Sequence, residues 1–161
     1  MIIIKPMETE EEIRGKAYVH WKSWQETYRG IVHDAYLDAL TYEKCLEIAQ
    51  NRANTLVMKD GERDVIGFAA YGKTGEETGE VFAIYVLEAY QKKRLGYALM
   101  NWCRTQLKDC KEICVRTLKD NRKAIAFYER YGFRPDGTEE TLTLGKPVTA
   151  IRMVYEMQSR N

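Results

Sequence analysis

Seven consecutive residues, Val81 to Leu87, are all apolar or aromatic, and the chain then gathers Gln91, Lys92, Lys93, Arg94 and Gly96 just before apolar residues return at helical spacing. No other stretch restricts the fold as tightly. A short run with two apolar faces belongs in the middle of a sheet that is covered on both sides. Alternation puts Phe82, Ile84 and Val86 on one face and Val81, Ala83 and Tyr85 on the other. Leu95, Ala98, Leu99, Trp102, Cys103 and Leu107 then mark one side of a helix. The first amides of a helix lack intrahelical partners and sit at the positive end of its dipole, so cations beside them make an anion site. The junction therefore predicts a phosphate or pyrophosphate ligand.

The rest of the chain completes the sheet around that strand. Ile2 to Lys5 reads as a first strand, and Pro6 with Thr9 suits entry to a helix along which Ile13, Ala17, His20, Trp21, Trp24 and Tyr28 recur, ending near Gly30. HDAYLDAL and TYEKCLEIAQNR predict two short helices, the second capped by Thr41. TLVMKDGERDVIGFAAYG is a β-hairpin about Asp60-Gly61, and KTGEETGE is a loop into the central strand. CKEICVRTL is a further strand; strand, helix, strand implies a right-handed crossover and a parallel pair. Asn121 caps a helix ending at Gly132, and after Pro135-Asp136-Gly137 come two final strands, TEETLTL and PVTAIRMVYEM.

At 161 residues the chain is expected to form a single domain, 1–161, able to bury about two-thirds of its unfolded surface. Its 25 Lys and Arg against 24 Asp and Glu give a net charge of +1, which creates no overall field for nucleic acid or an anionic membrane. The opening MIIIKPMETEEE lacks the length and cationic flank of a signal peptide, and no apolar run spans a membrane. A cytoplasmic location is expected. Cys45, Cys103, Cys110 and Cys114 form no C-x-x-C pair and have no histidine at ligand spacing, so neither a metal nor a disulfide framework is expected.

Two motifs stand in order: Gln91-Lys92-Lys93-Arg94-Leu95-Gly96-Tyr97-Ala98 after a strand, and Asn121-x-x-Ala124-Ile125-x-Phe127-Tyr128-x-x-x-Gly132-Phe133 further on. Together they resemble the GNAT superfamily of N-acetyltransferases. The first is similar to its acyl-CoA pyrophosphate loop and the second to its N-x-x-A-x-x-F/L-Y-x-x-x-G-F helix. The resemblance covers nearly the whole chain and implies an α/β (α+β) domain. Its mixed central sheet has about seven strands flanked by helices, with a splayed parallel pair at the centre. Arg94 stands where the family usually has its first glycine. A left-handed backbone there would cost about 1 to 2 kcal/mol. A right-handed Arg94 avoids that strain and leaves its guanidinium free to pair with a phosphate.

The resemblance further implies acetyl-CoA as cosubstrate, with its pantetheine arm on the backbone of Ile84, Tyr85 and Val86 like an added strand. Gln91, Lys92, Lys93, Arg94, Leu95, Gly96 and Tyr97 would hold the diphosphate, and Asn121 would lie near the pantetheine. An amine is mostly protonated at neutral pH and needs a base; Glu80, six positions before Val86, is similarly placed to the glutamate of histone acetyltransferases in this superfamily. A backbone N–H near Ile84 would steady the oxyanion. Tyr128, two turns into its helix, would donate to the departing thiolate. Trp24 and Tyr28, with Glu80, are the acceptor-binding candidates; the first helices and last hairpin also offer Asp34, Asp38, Glu139 and Glu140 to a cationic amine.

Plainer uses stand beside these. The cations also suit a solvated loop, Gly96 suits tight helix packing, Glu80 a surface position, and Tyr128 and the aromatic stripe a core. The leading expectation is an N-acetyltransferase acting by direct attack on a primary amine, a small molecule or polyamine in preference to a protein. The alternatives are a non-catalytic acyl-CoA-binding module and a protein N-terminal or lysine acetyltransferase. A nucleotide grip has no G-x-x-x-x-G-K-[ST] signature to support it. The last strands leave an edge at which two subunits can pair as a homodimer.

Overall fold

The computed structural model describes residues 1–51, 54–61, 63–91 and 93–158. In chain order they form β1 (Ile2–Pro6), α1 (Glu10–Tyr28), α2 (Asp34–Ala39), α3 (Tyr42–Asn51), β2 (Thr55–Asp60), β3 (Asp64–Lys73), β4 (Thr78–Val86), a 3-10 turn (Glu88–Tyr90), α4 (Leu95–Gln106), β5 (Glu112–Leu118), α5 (Arg122–Tyr131), β6 (Arg134–Thr143) and β7 (Pro147–Glu156). The strands make one mixed seven-stranded sheet in the order β1-β2-β3-β4-β5-β7-β6. Its one parallel pair, β4 with β5, is joined by the crossover through α4, and the remaining pairs are antiparallel.

Local chemistry accounts for most boundaries. Thr9 and Glu12 close a capping box at the start of α1, Thr41 Oγ1 accepts from the Lys44 amide at 3.2 Å to start α3, and Gly132 ends α5 with φ 126. One face of the sheet is covered by α1, whose Val19 packs with Phe68, Ala83 and Tyr85. The other is covered by α4 and α5, where Leu99, Met100, Cys103 and Tyr128 join Met58, Ile66, Val115, Phe133 and Met153 in the main core. No helix among the described residues is long and apolar enough to cross a membrane.

Two strands depart from their expected course. In β4, Val81 pairs with Tyr71 and Ala83 with Ala70, so Phe82 is an extra, unpaired residue. This bulge breaks the alternation: Val81 joins Ile84 and Val86 on the α4 side, Ala83 and Tyr85 face α1, and Phe82 is 47% exposed instead of sharing their core face. In β6 the Pro135-Asp136-Gly137 turn is absorbed into the strand as an irregularity between Pro135 and Glu139. Gly137 takes φ 87, and Asp136 Oδ1 accepts the Thr138 amide at 2.8 Å. The strand thus begins at Arg134, and β1 and β6 are the sheet's two edges.

Candidate active site

Pairing between β4 and β5 is confined to Thr78↔Glu112, Gly79↔Ile113 and Glu80↔Cys114. Past that point β4 stays with β3 as far as Val86, while β5 stays with β7 as far as Leu118. The sheet therefore opens as a wedge, and the side of β4 from Val81 to Val86 that faces β5 has no neighbouring strand. The closed end is held by packing: a Cβ on Gly79 would lie 3.0 Å from the Leu107 side chain, so glycine lets the end of α4 seat against the strand pair. The bulge at Phe82 adds local twist where the strands part. A cavity of about 580 Å³ fills the opening, between Phe82–Val86 on one side and Arg116, Thr117, Asn121 and Tyr128 on the other.

At the cavity's other end stands the N-terminus of α4. Its first intrahelical bond runs from the Ala98 amide to Arg94 O at 3.2 Å, and among the described residues no side chain caps the helix. The amides of Leu95, Gly96 and Tyr97 precede that bond, and all three residues line the cavity. Of the two conformations open to Arg94, the backbone takes the left-handed one, φ 59 and ψ 22. The chain must reverse from the 3-10 turn into α4 at this position, and the geometry available is the one glycine adopts freely. Gly96 packs closely against α5, since a Cβ there would meet the Phe127 ring at 3.2 Å.

Gln91 ties this end to the strand, its amide donating to Val86 O at 2.9 Å, while Lys123 of α5 donates to the Gln91 carbonyl oxygen. Lys123 lines the cavity with Arg94 and Arg130. Lys93 does not: its ammonium lies 5.7 Å over the Tyr90 ring. Lys92 lies outside the described residues.

Three phenols meet midway along the cavity. Tyr28 and Tyr85 hydroxyls are 3.4 Å apart. Burial pushes the Tyr28 phenol up, against hydrogen bonds with Tyr85 and Asn121 that lower it. Tyr85 is raised well above the ordinary range by burial and then by Tyr28, with a hydrogen bond to Trp24 opposing. Tyr128, 8% exposed, is raised by burial and then by the nearby Tyr28 and Cys103. Asn121 Oδ1 caps α5 by accepting the Ala124 amide at 3.2 Å, and Asn121 also draws the Tyr28 phenol down. Trp24 stands behind Tyr28, ring centroids 4.4 Å apart, in a small core with Val32 and Leu37 and not on the cavity wall.

Glu80 occupies the apex of the wedge, its side chain 12% exposed. Cys114 Sγ donates to Oε1 at 3.5 Å, and Arg116 Nε lies 3.7 Å from Oε2. Glu80 is not on the cavity wall, but Arg116 is. Burial, then the neighbouring Glu80, raise the Cys114 thiol above its ordinary range, with Arg152 opposing, so it stays protonated and able to donate. Among the described residues no group of three or more His, Cys, Asp or Glu could hold a metal ion. Sequence reading missed Arg116, Lys123 and the Tyr85 side chain. The basic Asn121-Arg122-Lys123 run was a signal available for Lys123.

The model of the acetyltransferase (GNAT) family matches residues 18–133. An uncharacterized N-acetyltransferase, YuaI, of Bacillus subtilis (strain 168) is 35% identical over 96 residues, 56% of this chain and 56% of that protein. Spermine/spermidine N(1)-acetyltransferase of the same organism is 33% identical over 86 residues, 47% of this chain and 57% of that one. These matches thus span little more than half the length of the two relatives. The crystal structure of PaiA N-acetyltransferase from Thermoplasma acidophilum in complex with coenzyme A superposes with a TM-score of 0.77 at 21% identity, covering 98% of this chain and 99% of that one. With a split parallel pair, an uncapped helix at the opening and a family match across most of its length, the chain belongs to the GNAT family of acetyltransferases.

Proposed function

We propose that the protein transfers an acetyl group from acetyl-CoA to a primary amine of a small molecule or polyamine, by direct attack within a ternary complex. The observation that carries this is the wedge between β4 and β5, which leads from the uncapped start of α4 to Tyr128. Coenzyme A fits the residues present. Ile84, Tyr85 and Val86 offer an unpaired strand edge to the amide groups of the pantetheine arm, and the Leu95–Tyr97 amides with Arg94, Gln91 and Lys123 suit the diphosphate. Acetyl-CoA supplies the activated acyl group.

The chain's own groups position and move protons. Backbone N–H near Ile84 steadies charge developing on the acyl oxygen. Tyr128, kept protonated by burial, donates a hydrogen bond to the departing sulfur; a thiol titrates near ~8.5, so full transfer from so weak an acid is uphill and the phenol acts mainly as a donor. Glu80 takes the acceptor's proton directly or through water. Tyr28 and Glu26, on the cavity wall, are the groups offered to the acceptor. The similarity to a spermine/spermidine acetyltransferase supports a polycationic acceptor, four free thiols support a reducing, cytoplasmic setting, and the open edge of β6 suits a homodimer.

Incubation with acetyl-CoA and a panel of amines tests the reading by release of free thiol. Turnover on at least one amine is the expected result; CoA binding without turnover on any overturns it. That outcome would favour the second reading, a non-catalytic acyl-CoA-binding module, which the absence of Glu80 from the cavity wall supports.

A further inference from the structure

Arg116 holds a place that the proposed reaction needs for something else. It lies on β5 two residues beyond Cys114, where the strands have parted, on the face that carries Glu80. Its Nε is 3.7 Å from Glu80 Oε2, and its Nη1 donates to Glu140 Oε1 of β6 at 3.2 Å. Cys114 occupies the other Glu80 oxygen. The guanidinium therefore bridges two carboxylates from opposite sides of the sheet's split, and it is the described member of this group on the cavity wall. Glu80 is 12% exposed, whereas Arg116 and Glu140 are 49% and 44% exposed. The arginine can swing out and the base cannot.

Resting on the acetyl-transfer reading, we propose that Arg116 is a specificity-determining positioning residue, an internal cation standing where the acceptor's ammonium group binds. Counted with Arg152, the cross-strand partner of Arg116, and its own partners Glu112 and Asp136, four carboxylates face two guanidiniums, and the surroundings are net negative. An organic cation is attracted there and an anion repelled. A diamine replaces the guanidinium, with one ammonium at Glu140 and the other at Glu80, and so brings the amine to be acetylated to the carboxylate that accepts its proton. Until then the oxygen that receives the proton is occupied by Arg116. Uncharged or acidic acceptors cannot displace it and are discriminated against.

The test is equilibrium binding of 1,4-diaminobutane to the CoA-loaded protein by calorimetry, in wild type and Arg116→Gln, with CoA affinity as the check that the fold survives. Arg116→Gln should bind the diamine about tenfold tighter, because the competing cation is gone. A role confined to structure would weaken binding, so unchanged or weaker affinity overturns the proposal. Adding Glu140→Gln should abolish the gain; its persistence would also overturn it. In wild type the Arg116 Nε–Hε resonance should move during the titration, and a stationary signal with bound diamine counts equally against it. Because these readouts need no turnover, Arg116 displacement without acetyl transfer condemns only the activity, and transfer without displacement condemns only this inference.

Discussion

Arg94→Gly separates strain from binding, because the two effects run in opposite directions. A non-glycine residue at φ 59 costs about 1 to 2 kcal/mol in the left-handed region. Glycine relieves that cost but gives part of it back through a freer unfolded chain, leaving a net stabilisation of about 0.5 to 1 kcal/mol. For a chain of this size that is a rise of about 1 to 4 °C in Tm. Arg94 lines the cavity beside the free amides of α4, and a charge-assisted contact of its guanidinium to a phosphate is worth about 1.5 to 3 kcal/mol. CoA should therefore bind roughly 10- to 100-fold more weakly to the variant, with the gap narrowing as salt is raised. Calorimetric unfolding without ligand and CoA titration at two salt concentrations read both quantities. A variant that is less stable and binds CoA as well as wild type would refute both halves of the argument.

Other perturbations follow from the same geometry. Tyr128→Phe should lower kcat by about 10- to 100-fold, the worth of about 1.5 to 3 kcal/mol for one hydrogen bond to a charged sulfur, while CoA affinity stays nearly constant; steady-state kinetics with CoA titration checks it. Gly96→Ala sets a methyl group 3.2 Å from the half-buried Phe127 ring, which must shift by a few tenths of an ångström on the cavity wall; weaker CoA binding in titration is the expected result. Glu12 is nearly fully buried at the start of α1. Burial would raise its carboxyl, but Lys5, the Thr9 and Glu8 amides and Lys59 outweigh that and hold it at about 2 against an ordinary 4.5. A depressed carboxyl stabilises above the unfolded value and loses that contribution as pH falls through the folded one. Wild type should thus exceed Glu12→Gln in urea-unfolding stability at pH 7, and the difference should shrink between about pH 4.5 and 2.

The parts of this fold legible in the sequence are those with local causes. Asp60-Gly61 announces the β2–β3 hairpin, Asn121 and Gly132 bracket α5, and the run from Val81 marks the central strand. Phe82 carries no such mark: its bulge arises from how β3 and β4 register, and nothing in an apolar run distinguishes the extra residue. Arg94 misled because its side chain suits a phosphate while its backbone sits where glycine is at ease. Nothing in the local sequence marks Glu12 and Lys16 as buried, yet both are 2% exposed, the first among lysines and amides and the second over the Phe68 ring. Of the candidate site, Tyr128, Asn121, Gly96 and Gln91 come from two motifs that the fold brings to one cavity wall. Arg116 enters from β5 by tertiary proximity alone, Lys123 had a local signal in the basic Arg122-Lys123 pair, and Trp24, an acceptor candidate, packs behind Tyr28 and off the cavity wall.

A crystal structure of the protein with coenzyme A tests the central claim most directly. The pantetheine arm should lie in the wedge, hydrogen-bonded to the β4 backbone between Ile84 and Val86, with the sulfur within hydrogen-bond reach of the Tyr128 hydroxyl. Coenzyme A bound outside the wedge, or a sulfur turned away from Tyr128, would contradict it.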